Sequence, residues 1–86
     1  MKRSVYIKAK EILTYLSKYG ESGPTEIGLW MGYEYNSASS KLTHTIKVMV
    51  DMGLIERLLN GRYRLKKNFF KIWNDITEDI RRNIEK

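Results

Sequence analysis

The stretch Met49-Val50-Asp51-Met52-Gly53-Leu54-Ile55-Glu56-Arg57-Leu58-Leu59-Asn60-Gly61-Arg62-Tyr63-Arg64-Leu65-Lys66, residues 49–66, changes its hydrophobic period partway along. Up to Met52 the apolar residues continue a spacing of three and four, the mark of one helix face. From Leu54 the period drops to two. Asn60-Gly61 sits between the alternating runs, a strong hairpin signal because a type I′ turn needs positive φ at both central positions. A helix stopping at Gly53 and leading into a hairpin over 54–66 is therefore expected. A two-residue loop pairs Leu59 with Arg62, Leu58 with Tyr63 and Arg57 with Arg64. That pairing puts Arg57, Arg62 and Arg64 on one face and Leu58, Tyr63 and Leu65 on the other. Like charges directly opposite cost stability, so the arginines read either as an anion-binding face or as edge charges that deter aggregation.

Upstream, the pattern predicts a helix over about 37–52. With Leu42 at zero on a wheel of 100° per residue, Ala38, Ile46 and Met49 fall within about 40° of it and form a buried stripe. The opposite face carries Ser37, Ser40, His44, Lys47 and Asp51, flanked by Lys41 and Thr43. Residues 4–19 predict another amphipathic helix, capped by Ser4, with Val5, Ala9, Ile12, Leu13, Leu16 and Tyr19 on one side. Gly20-Glu21-Ser22-Gly23-Pro24 makes a turn, and Thr25 caps a short helix over 26–31. Met31, Met49 and Met52 are expected as core filler, and Tyr33 and Tyr35 are expected to pack beneath a loop. Asn68 caps a last helix over 69–85, whose stripe is Phe69, Ile72, Trp73, Ile76, Ile80 and Ile84. The fold class is mainly α with a small β-hairpin. Residues 1–67 form the main unit, and 68–86 an added helix in the same compact body.

Composition narrows the function. At 86 residues and 42% hydrophobic the chain suits one folded domain. It contains no cysteine and one histidine, His44, so thiolate chemistry, zinc–thiolate sites and His-rich metal sites are not expected. No Gly-rich phosphate loop or convergent carboxylate pair is evident, so no catalytic residue, cofactor, metal or small-molecule ligand is expected. No apolar run approaches the roughly 20 residues of a membrane span, and the start lacks a signal-peptide pattern, which leads to an expected cytoplasmic location. The net charge is +6, and residues 36–67, with seven basic and two acidic residues, hold +5 of it. Such a local positive field favours a polyanion, with DNA first.

Met49-Val50-Asp51-Met52-Gly53-Leu54-Ile55-Glu56-Arg57, the buried Leu42, Ile46 and Met49, and Thr25-Glu26-Ile27-Gly28 together resemble the winged helix-turn-helix family of DNA-binding regulators. The resemblance covers residues 4–67 and extends to small archaeal, viral or plasmid-type regulators. In it, Gly28 is the small residue that lets two helices approach. One departure is that Ile27 and Leu42 lie fifteen positions apart, about one helical turn more than the compact motif. Either the loop through Tyr33-Glu34-Tyr35-Asn36 is extended, or the third helix starts a turn early; the orientation of Asn36, Ser37 and Ser39 depends on which.

The resemblance implies a transcriptional regulator that sets helix 37–52 in the major groove and uses the hairpin as a wing on the backbone. Ser40, His44 and Lys47 would meet base edges, with Lys41 and Thr43 beside them. Phosphate donors would be Lys41, Lys47, Arg57, Arg62, Arg64 and Lys66, with the hydroxyl and backbone N–H of Thr25. Asn36 is the one side chain near this face suited to bidentate reading of adenine. The expected partners are double-stranded DNA and a second copy of the chain. The second copy would be joined through Phe69, Ile72, Trp73, Ile76, Ile80 and Ile84; the alternative is that this stripe folds back over the chain's own first helix, and Tyr6 and Tyr15 of that helix would contribute to either arrangement. Competing functions are a protein-interaction winged helix, which needs an apolar working surface, and a non-specific RNA-binding or architectural protein.

Overall fold

The computed structural model describes the backbone of residues 1–85 and the side chains of residues 1–82. Four helices and one antiparallel hairpin follow in the order α1 (Arg3–Tyr19), α2 (Pro24–Trp30), α3 (Tyr35–Asp51), β1 (Ile55–Arg57), β2 (Tyr63–Leu65) and α4 (Phe69–Glu85). The elements agree in number and kind with those the sequence predicts, and the differences lie at their ends and in the hairpin's register. In α1 the N-cap is Lys2, without a side-chain cap bond, and Ser4 lies inside the helix. Pro24 opens α2 because its fixed φ and missing N–H suit the first helical position. Gly23 is therefore the N-cap and Thr25 sits within the first turn, half-buried.

The junction of α2 and α3 decides the longer spacing. Gly32, at φ 95°, turns the chain, and Tyr33 N donates to Gly28 O at 3.0 Å. Glu34 then serves as N-cap, its carbonyl accepting from Ser37 N and Ala38 N at 3.0 and 2.8 Å. No helix breaker separates Tyr35 from Ser37, so α3 starts early and carries Asn36 in its first turn.

The core joins Val5, Ala9, Ile12, Leu13 and Leu16 of α1 to Ile27 and to Ala38, Leu42, Ile46 and Met49 of α3, with Leu54 and Ile55 closing the hairpin side. Tyr19 is 53% exposed and Met52 37%, so neither belongs to it; Tyr35 is 73% exposed, whereas Tyr33 packs on the core as expected. α4 contributes Ile76, buried in the same cluster, with Phe69, Ile72, Trp73 and Ile80 half-buried against it. The Trp73 and Tyr6 rings stack with centroids 4.9 Å apart. The stripe of α4 thus lies over its own first helix, and the helix completes the core instead of merely following it. Tyr15 takes no part there and packs on Trp30 and Tyr19. Ile84 lies outside the described side chains.

The hairpin differs by one residue in register. Ile55 pairs with Leu65, Glu56 with Arg64 and Arg57 with Tyr63. Leu58 N donates to Arg62 O and Gly61 N to Leu58 O, so the loop is Leu59-Asn60-Gly61 with only Gly61 at positive φ. This is a three-residue loop ending in a left-handed glycine, not a type I′ turn. The reason is burial: a two-residue loop would put Ile55 on the arginine face, and a one-residue slip moves every side chain across the sheet. The observed register sets Ile55, Tyr63 and Leu65 together against the core and places Glu56, not Arg57, opposite Arg64. A backbone bridge, Ser22 N to Tyr63 O at 3.0 Å and Tyr63 N to Ser22 O at 2.9 Å, ties β2 to the α1–α2 loop.

Candidate nucleic-acid interface

Helical spacing runs an exposed ridge down the outer side of α3: Asn36, Ser40, then Thr43 and His44, then Lys47, with Asp51 at its end. The early start of α3 puts Asn36 at the head of this ridge. Side-chain chemistry divides the ridge in two. Ser40 Oγ donates to Ser37 O at 3.0 Å and Thr43 Oγ1 to Ser39 O at 3.2 Å. Ser37, half-buried, donates its hydroxyl to Glu34 O at 3.3 Å. These hydroxyl protons serve the helix backbone, which leaves the oxygens facing outward as acceptors. Asn36, His44 and Lys47 make no side-chain hydrogen bond among the described residues, so their donors face solvent unengaged.

Cations flank the ridge unequally. On one side Lys41 stands near α1, where Lys8 Nζ donates to the Lys41 carbonyl at 3.2 Å. Ser4, Lys8, Lys41 and His44 share a shallow cleft there. Lys8 is a member of this surface that the sequence pattern missed, because α1 reads as scaffold and the contact spans 33 positions. On the other side a groove of about 300 Å³ separates α3 from the hairpin, floored by Pro24, Ile46 and Val50 and edged by Thr43, Lys47, Asp51 and Arg57. Arg57 is exposed and has no ion pair among the described residues.

Arg62 and Arg64 sit elsewhere. The register places them on the hairpin's outer face, away from Arg57, so the three arginines do not form one surface. Arg62 Nη1 meets Glu26 Oε1 at 2.7 Å, its Nε lies 3.3 Å from Glu21 Oε1, and Nη2 donates to Glu21 O at 2.9 Å. Arg64 pairs with Glu56. Two carboxylates around one guanidinium make the outer side of the hairpin locally negative. Lys66 is exposed at the hairpin's base, its backbone N bonded to Leu54 O. The residues brought together are thus Asn36, Ser40, Lys41, Thr43, His44, Lys47 and Arg57; Arg62, Arg64 and Lys66 stand apart, and Thr25 supplies no cap.

Among the described residues no helix is long and apolar enough to cross a membrane. No family model, curated protein or solved structure matches the chain.

Proposed function

We propose that this chain is a winged helix-turn-helix protein that binds double-stranded DNA and regulates transcription, with α3 in the major groove and the hairpin as its wing. The observation that carries this is the outer ridge of α3, where unengaged donors on Asn36, His44 and Lys47 alternate with outward acceptors on Ser40 and Thr43. Lys8 and Lys41 flank it on one side and Arg57 on the other. A major groove about 12 Å wide admits such a helix, and the first turn of a groove-seated helix meets base edges most directly. Asn36, in that turn, is the adenine reader; Ser40 and Thr43, as acceptors, suit the amino groups of cytosine or adenine. Lys8, Lys41 and Lys47 take phosphates, and Arg57 reaches the duplex from the wing. The second partner is another copy of the chain. With the α4 stripe lying on α1, its contact falls on Phe70, 64% exposed beside a cleft edged by Lys10, Thr14 and Ser17.

Fluorescence anisotropy with labelled random duplex at two salt concentrations tests the proposal. Binding that weakens steeply with salt is expected. A flat salt response, or none at low salt, overturns DNA as the partner and favours a protein-interaction role. Against a panel of selected duplexes, Asn36→Ala is expected to lose about 1–3 kcal/mol of discrimination at one base pair, whereas Lys47→Ala weakens all duplexes alike.

A further inference from the structure

We infer that the hairpin tip is a wedge that enters the minor groove and bends the duplex, with Leu59 as the inserted side chain and Arg57 as its anionic-groove anchor; this rests on the duplex binding proposed above. Leu59 has a relative exposure of 110%, which means that its own chain covers none of it. Burying a leucine is favourable, and a turn position open to any polar residue gives that up here.

The tip is also held stiff. Asn60 Oδ1 accepts from Arg62 N at 3.0 Å, and Asn60 Nδ2 donates to Glu21 Oε1 at 3.3 Å. Gly61 fixes the left-handed turn, and Arg62 anchors the loop to Glu21 and Glu26. A leucine on a mobile loop would fold back onto apolar surface; this one is braced outward. The second observation is Arg57. Its Nη2 would lie 3.9 Å from a Cβ built on Gly61, so its guanidinium reaches the turn. The tip therefore offers an apolar wedge and a cation without an ion-pair partner side by side.

That pair matches minor-groove chemistry. Arginine is drawn to the negative potential of a narrow minor groove, and leucine between two base steps unstacks them and kinks the duplex by roughly 20–90°. The tip projects beyond the Arg57–Tyr63 pair, and Tyr63 stands across a groove from α3. From a major groove holding α3, the neighbouring minor groove is about 17 Å away along the duplex, half a turn. A protein partner is disfavoured by size, because one leucine falls far short of the roughly 1,000 Å² a specific interface needs. A lipid surface taken up by the tip would leave the donors of Asn36, His44 and Lys47 on α3 unengaged, whereas a duplex takes both surfaces.

Energy transfer between dyes at the two ends of a short duplex reads the bend, and anisotropy of the same sample reads binding. Wild type is expected to raise transfer on binding, more for duplexes rich in TA and CA steps, which unstack easily. Leu59→Ala is expected to remove most of that rise while binding within about threefold of wild type, and Leu59→Phe to restore it. Because Leu59 touches nothing, both variants should melt like wild type. A bound duplex that stays straight, or an equal bend with Leu59→Ala, overturns the wedge and leaves α3 recognition standing. Absence of binding overturns both. Sedimentation with anionic lipid vesicles that depends on Leu59 overturns the wedge in favour of a membrane.

Discussion

Gly28 shows how closely two helices are set by one missing atom. A Cβ built there would lie 2.6 Å from Ala38 Cβ and 2.8 Å from the Ala38 carbonyl oxygen, and a backbone oxygen cannot yield as a flexible side chain does. Gly28→Ala gains up to about 1 kcal/mol of helix propensity but incurs an overpacking cost of about 1–3 kcal/mol. The expected net result is destabilisation, read as a thermal midpoint several degrees lower, with a weaker grip on DNA because α3 shifts with Ala38. A midpoint equal to wild type would show that the crossing is slack. Arg62 makes the opposite case, a residue whose role is set by its neighbours. Held by Glu21 and Glu26, it braces the hairpin before it can serve a phosphate. Glu26→Gln removes one negative charge and leaves part of the guanidinium unengaged. It is expected to tighten duplex binding severalfold at low salt, with the gain fading as salt screens it. Unchanged affinity would mean that the outer hairpin face lies away from the duplex.

Among the elements, α4 changes meaning most between sequence and structure. Its apolar stripe is legible from spacing alone, but a stripe does not say which surface covers it. Tyr6 and Tyr15 are expected to meet the stripe in either arrangement, and of the two it is Tyr6 that stacks on Trp73. The consequence is testable. Ile76→Glu puts a carboxylate into the core without a partner, and it is expected to unfold the chain or lower its midpoint drastically. Phe70→Glu, on the exposed side, should melt like wild type. By sedimentation equilibrium, wild type should have about twice the 10.2 kDa chain mass, and Phe70→Glu should sediment as a monomer. A wild-type mass near that of one chain would remove the second copy. The hairpin was legible in place and kind but not in register. Asn60-Gly61 fits both a two-residue turn and a three-residue loop, and only the need to bury Ile55 with Tyr63 and Leu65 chooses between them. The ridge of α3 was legible from Ser37 onward, whereas Asn36 depended on where the helix starts. The ion pairs of Arg62 and the contact of Lys8 join distant parts of the chain, so local pattern held no trace of them.

For the molecule as a whole, charge is sorted by side. Lys8, Lys41, Lys47 and Arg57 surround the ridge, while Arg62 and Arg64 are matched by glutamates. Four to six phosphates per chain is a reasonable footprint for that surface, so log K against log salt should slope at about −0.9 times that number. A slope beyond this range would mean that Arg62 and Arg64 exchange their carboxylates for phosphates on binding. The tie between the α1–α2 loop and β2 has a further consequence, in the time over which the chain is made. Arg62 and Glu21, beside the Ser22–Tyr63 bridge, are 41 residues apart. At about 5–20 residues per second, roughly 2–8 s separate the synthesis of Glu21 from that of Arg62. Throughout that interval Ile12 and Leu16, already made, lack the hairpin side of their core. The nascent chain must wait for Tyr63 before the loop after its first helix is bridged to β2.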